Sequence, residues 1–182
     1  MIGQFIVNNL VYFLLSFELG VKNQMLANKK KLGEILRYYQ KISGPKLKSG
    51  LDQQKLHGGR LGEILVSRGF ISEQDLLNAL QEQYQIPIID FAKAPRNPKA
   101  LQLVSQNFAT NHLILPITFI QISSGLILVV AMEDPGNKKL IKHLNDLTGF
   151  PIKPMLAGKF RIIQAIAEAY RSDSPNSSVA YL

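Results

Sequence analysis

Apolar residues recur at helical spacing in two stretches of the chain, and the second stretch is a copy of the first. Residues 31–54 read KLGEILRYYQKISGPKLKSGLDQQ and residues 60–83 read RLGEILVSRGFISEQDLLNALQEQ, with Lys55 to Gly59 between them. Ten positions are identical without a gap: Leu32/Leu61, Gly33/Gly62, Glu34/Glu63, Ile35/Ile64, Leu36/Leu65, Ile42/Ile71, Ser43/Ser72, Leu47/Leu76, Leu51/Leu80 and Gln54/Gln83. In the second unit the pattern predicts a short helix over Leu61–Arg68 that stops at Gly69, a residue suited to a left-handed C-cap. Ser72 and Asp75 then form a variant capping box that opens a helix from about Glu73 to Tyr84. Leu76, Leu80 and Gln83 share one face of that helix, and Leu47, Leu51 and Gln54 repeat the face in the first unit. A unit this short cannot bury a core alone, so the two must pack together. Side by side they offer a pseudo-two-fold surface, suited to a ligand that is itself two-fold symmetric.

After Gln85 the texture changes. Ile86–Ile89 reads as a short strand and Asn97–Val104 as a helix. Leu113–Ile122 and Leu126–Met132 are rich in β-branched and apolar residues around Ser123-Ser124-Gly125, the pattern of a hairpin. Asp134 as N-cap and Pro135 at the first helical position predict a helix running to Gly149. Pro151–Leu156 follows as a strand, and Phe160–Tyr170 as a helix with Ile162, Ile163, Ile166 and Tyr170 on its apolar stripe. The expected class is α+β: a tandem helix-turn-helix subdomain, then a small α/β sandwich whose mainly antiparallel sheet is covered by helices on one face. The divisions expected are an apolar extension over 1–28, a helical ligand-binding subdomain over 29–85, an α/β subdomain over 86–171 and a disordered tail over 172–182.

The first segment resists a single reading. Leu10–Phe17 is strongly apolar, but Gln4, Asn8, Asn9 and Glu18 interrupt the ~20 apolar residues of a membrane span. A basic n-region and an A-x-A cleavage site are both missing. The segment reads as an amphipathic helix contacting a membrane through residues 2–20, or as an extension from a start codon placed too far upstream. Were it to enter a membrane, Lys22 and Lys29–Lys31 would keep the rest in the cytoplasm.

Composition narrows the chemistry. With 182 residues, 46% hydrophobic and 19% charged, the chain has room for one ordinary globular domain or two small ones. The absence of cysteine excludes disulfides, thiolate metal sites and a thiol nucleophile, and it fits a cytoplasmic protein. His57, His112 and His143 lie far apart, without metal-ligand spacing. Between Lys22 and Arg68 eleven Lys/Arg face only Glu34, Asp52 and Glu63, so this segment carries +8, the formal charge of the whole chain. An anionic partner is expected at the repeats; the plain alternative is a solvated basic face.

Catalytic motifs are missing. Gly158-Lys159 is the nearest trace of a phosphate-binding loop, but Phe160 follows it and the upstream glycine is absent. There is no G-x-S-x-G and no H-E-x-x-H. Binding is the better explanation. Arg60 can offer a planar fork to the O6/N7 edge of a guanine or stack on its face. Gly62, beside a helix start, permits close backbone approach and a phosphate seat. Leu61, Leu76 and Leu80 would supply an apolar wall, and Gln83 a donor and acceptor for a base edge. Leucines at this spacing are ordinarily core; packing alone explains Arg60, Gly62 and Gln83 less well.

The two units resemble the tandem motif R-L-G-x-x-L-x-x-x-G-x-x-x-x-x-x-L-x-x-x-L-x-x-Q of the MshEN family, the cyclic-di-GMP-binding N-terminal domain of type II secretion and type IV pilus assembly ATPases. The second unit matches at Arg60, Leu61, Gly62, Leu65, Gly69, Leu76, Leu80 and Gln83. Leu113–Pro116, Ala131-Met132-Glu133-Asp134-Pro135 and the final Ile163–Tyr170 segment also look like the α/β part of that domain. The resemblance implies a non-catalytic module that binds cyclic-di-GMP and needs neither metal nor cofactor. The implied ligand residues are Lys31, Leu32, Gly33, Leu47, Leu51 and Gln54 in the first unit, and Arg60, Leu61, Gly62, Leu76, Leu80 and Gln83 in the second. The module is expected in the cytoplasm, and a secretion or pilus motor or platform protein is the implied partner. The alternative is an interaction adaptor of such a system that has lost its ligand. Nucleic acid is disfavoured because Tyr38 and Tyr39 are the only adjacent aromatic pair in the basic segment. The first unit departs from the motif at Lys31, which lacks arginine's fork, and at Gln40, which replaces the glycine. Gly50 is expected to cost its helix ~1 kcal/mol against the matched Ala79. The first half-site should be the weaker.

Overall fold

In the computed structural model, which describes residues 30–171, each repeat is a short helix, a left-handed turn and a longer helix. Helices α1 (Leu32–Tyr38) and α2 (Gly44–His57) form the first unit, and α3 (Leu61–Ser67) and α4 (Glu73–Tyr84) the second. The apolar extension and the tail lie outside the described residues. After α3, Gly69 N–H donates to Val66 O and Phe70 N–H to Leu65 O, both at 2.9 Å, with Gly69 at φ 64°. After α1, Gln40 N–H donates to Arg37 O at 3.0 Å and Lys41 N–H to Leu36 O at 2.8 Å, with Gln40 at φ 54°. The turn is the same in both, but only glycine adopts it without strain.

The longer helices also open alike. Ser43 Oγ accepts from Lys46 N–H at 3.5 Å, and Ser72 Oγ from Asp75 N–H at 3.0 Å. Only the second has the reciprocal arm, Ser72 N–H donating to Asp75 Oδ2 at 3.4 Å. The units pack crosswise, α1 along α4 and α2 along α3. Their shared core is Ile35, Leu36 and Ile42 from one unit with Leu65, Ile71 and Ala79 from the other. Gly50 is not the weak point expected. A Cβ there would lie 2.5 Å from Leu65 Cδ2, so glycine is what lets α2 and α3 approach.

Beyond the repeats follow α5 (Pro98–Leu101), α6 (Gln106–His112), β1 (Ile114–Ile122), β2 (Gly125–Met132), α7 (Lys138–Thr148), β3 (Ile152–Leu156) and α8 (Lys159–Arg171). The sheet order is β1-β2-β3. The hairpin pairs antiparallel from Ile114↔Met132 to Ile122↔Gly125, and β3 joins β2 in parallel from Leu128↔Ile152 to Met132↔Leu156. The sheet is thus mainly antiparallel within an α+β fold. Its last strand is parallel because α7 carries the chain back across the sheet before it re-enters. Ile88 adds a single parallel bridge to Leu156 where a short strand was expected.

Several local expectations need correction. Ile127–Met132 are all buried, so both faces of β2 are covered rather than one. The helix expected over Asn97–Val104 is only the short α5, capped by Asn97, and α6, capped by Ser105, was not foreseen. Ile163 is 46% exposed, the buried stripe of α8 being Ile162, Ala165, Ile166 and Ala169. Helix α7 starts at Lys138, not after Asp134. Asn137 Oδ1 accepts from Leu140 N–H at 3.0 Å, while Asp134 Oδ1 closes a turn with Gly136 N–H at 3.0 Å. Tyr84 packs closely on that turn: a Cβ on Gly136 would lie 2.5 Å from its hydroxyl.

Candidate functional site

Lys31 and Arg60 occupy equivalent places, each with extended backbone just before a short helix. Gln54 Nε2 donates to Gly59 O at 2.9 Å, and Gln83 Nε2 to Lys30 O at 3.4 Å. Each glutamine therefore holds the carbonyl immediately before one of the two cationic residues. The long helix of one unit fastens the entrance of the other's short helix. This gives both glutamines a role in the fold that was not apparent from spacing.

The glycines have a packing role too. Gly33 and Gly62 are buried. A Cβ on Gly62 would lie 2.6 Å from Leu76 Cδ1 and 3.4 Å from Leu32 Cδ2; on Gly33 it would lie 3.1 Å from Leu47 Cδ1. Glycine here admits a leucine of the longer helix, contrary to the expectation that packing would not require it. Leu32, Leu47, Leu61 and Leu76 border the helical core, half-buried. Leu80 is half-buried, and Leu51 is 45% exposed. At the outer pair of matched leucines, then, apolar surface is left over after the core is made.

The two cations differ sharply in their surroundings. Lys31 is exposed, and its backbone N–H donates to Glu34 Oε2 at 2.9 Å. Arg60 Nη2 donates to Glu63 Oε1 at 2.7 Å and to Glu133 Oε1 and Oε2 at 2.6 Å, and its Nη1 lies 3.6 Å from Asp134 Oδ2. The Glu63 hydrogen bond is the largest cause holding the guanidinium in its charged form, against the opposing effect of partial burial. Glu63 also pairs with Lys159 at 3.2 Å, and its carboxyl is held below the ordinary range, chiefly by Arg60. Sequence reasoning gave Glu133 and Asp134 a helix-capping part and missed their place beside Arg60. The clue was the Glu133-Asp134-Pro135 run itself, but nothing local joins it to a residue some seventy positions earlier. Among the described residues, no group of His, Cys, Asp and Glu could hold a metal, and no helix is long and apolar enough to cross a membrane.

Residues 84–176, just over half of the chain, match the MshEN domain family. The chain belongs to that family. The matched span covers the α/β part of this MshEN protein and begins where the repeats end. A type IV pilus assembly ATPase PilB of Myxococcus xanthus (strain DK1622) is 33% identical over 146 residues, 80% of the chain. So long a likeness cannot fit within residues 84–176 and runs into the repeats. The chain spans only 25% of that relative, and the likeness lies in the MshEN region rather than the ATPase domain. Among solved structures, that of MshE with cdg aligns with a TM-score of 0.66 at 29% identity, covering 78% of this chain and 99% of that one. The N-terminal domain of XpsE aligns with a TM-score of 0.61 at 19% identity, over 75% of this chain and 91% of that one, and shares the fold.

Proposed function

We propose that the paired repeats bind cyclic-di-GMP and that this MshEN domain is a non-catalytic, cytoplasmic regulatory module of a type IV pilus or type II secretion system. The observation that carries the reading is the second repeat, complete at all eight motif positions, in a chain that aligns with the structure of MshE with cdg. The leftover apolar surface at Leu51 and Leu80 supports it, as an apolar wall for a base or ribose. Lys31 and Arg60 supply cationic groups at the matched ends, and the crosswise packing gives the pseudo-two-fold frame that a two-fold ligand requires. A motor or platform protein is the partner through which such a module acts.

The alternative, an adaptor without ligand, draws on the engagement of Arg60 by Glu63, Glu133 and Asp134, a state the ligand would have to change. Calorimetric titration with cyclic-di-GMP decides between them, with GMP and single-stranded DNA as controls. Saturable binding of cyclic-di-GMP alone is expected. No heat with any of the three would leave the adaptor.

A further inference from the structure

The two units are equivalent inside, but among the described residues the ion pairs that seat the α/β part are made by the second. Its seat on the second unit uses five positions. Arg60 meets Glu133 and Asp134, and Glu63 meets Lys159. Glu73 Oε1 accepts from Phe160 N–H at 3.4 Å, Leu77 approaches Gly158, and Tyr84 approaches Gly136. The matched positions of the first unit are Lys31, Glu34, Gly44, Lys48 and Lys55, and all five are exposed. The units share their helix caps, their left-handed turn and their glycine–leucine packing. These five residues therefore form the same surface on the first unit that their counterparts form on the second.

The chemistry of that surface has changed. Leu77 and Tyr84, which approach the two glycines, are replaced by Lys48 and Lys55, leaving three ammonium groups with one carboxylate. We infer that this face of the first unit docks an acidic protein segment, one that presents adjacent carboxylates on a turn as Glu133-Asp134 does to Arg60. Charge complementarity supports this occupant, since the segment from Lys22 to Arg68 carries the chain's whole formal excess of +8. The second unit shows what the seat grips. Replacing the apolar contacts by lysines leaves an exchangeable contact, steered by charge and weakened by salt. A lipid surface would call for apolar side chains that insert beside the cations, and none of the five positions provides one. Stacking aromatics for a nucleic acid are likewise missing among these five.

The surface shares Lys31 with the ligand reading, so its test leaves Lys31 untouched and changes only Lys48 and Lys55. The full chain is titrated by fluorescence anisotropy with a labelled peptide carrying two copies of residues 131–137, and with the same peptide bearing Gln-Asn for Glu-Asp. Saturable binding of the carboxylate peptide is expected, weaker at physiological than at low salt and about tenfold weaker for its amide counterpart. Lys48→Glu with Lys55→Glu should cost about tenfold or more while circular dichroism stays as in the parent. Should that pair disturb α2, Lys48→Gln with Lys55→Gln replaces it, with a smaller loss expected. Equal binding of both peptides, no saturable binding, or an unchanged affinity in a folded double variant would overturn the proposal. So would tighter binding to phosphatidylglycerol vesicles or single-stranded DNA than to the peptide.

Discussion

The first repeat and the second are alike where they face each other and unlike where they face the rest of the molecule. Leu36 and Leu65 are both fully buried, Ser43 and Ser72 both cap, and Gln54 and Gln83 fasten each other's unit. At the edge, Arg60, Glu73, Leu77 and Tyr84 meet the α/β part, while Lys31, Gly44, Lys48 and Lys55 face solvent. The mutual packing of a duplicated pair constrains both copies equally. Contact with a third element constrains only the copy that makes it.

The largest expected effect tests the shared interior. Leu36→Ala and Leu65→Ala should each cost ~2–5 kcal/mol of stability, because each leaves a cavity in one small core. Chemical denaturation would measure both. A gap of more than about 2 kcal/mol between them would break the equivalence of the two units, given the spread the site itself allows.

Next comes the edge. Arg60→Ala should weaken cyclic-di-GMP binding by about tenfold or more, since a bidentate pair on a guanine edge discriminates by ~1–3 kcal/mol. Lys31→Ala should cost less, and Lys31→Arg should tighten binding by restoring the fork. Equal, negligible losses at both positions in calorimetry would remove the two cations from the ligand site. Arg60→Ala also strips the partner from Glu133, so Glu133→Gln is the companion that separates ligand contact from the seam.

A smaller effect lies in the turn that both units share. Gln40→Gly should stabilise the protein by ~0.5–1 kcal/mol, the relief of a left-handed side chain less the added freedom of the unfolded chain. Gly69→Gln should destabilise by a similar amount. Thermal melting that moves in the opposite direction for either variant would mean the turns are not interchangeable.

The smallest concerns pH. The Glu63 carboxyl is depressed in the folded protein, chiefly by its bond to Arg60. Its contribution is therefore present above the unfolded value of about 4.3 and is lost as pH falls through the lower folded one. With both partners substantially exposed, the loss should stay below about 1 kcal/mol. Denaturation midpoints measured from neutral pH downward should fall less steeply in Glu63→Gln; an unchanged slope would show that the pairing with Arg60 does not stabilise the fold.

Local signals were legible without coordinates. Ser72 and Asp75 announce a helix start because a side-chain oxygen reaches an N–H three residues on, and Gly69 announces a stop because its φ is positive. The hairpin around Gly125 and the end of α7 at Gly149 were readable for the same reason. Asp134 misled because a capping residue before a proline is also the start of a tight turn, and here its Oδ1 accepts from Gly136 N–H instead of opening the helix. The sequence by itself determined that there are two like units, where the helices of the second begin and end, and that the charge gathers on them. Only the tertiary structure decided that Gly50 and Gly62 serve packing, that the glutamines hold each other's unit, and that Glu133 and Asp134 surround Arg60. Those contacts join residues far apart along the chain, and no periodicity or spacing encodes a distance that exists only once β2 ends beside α3.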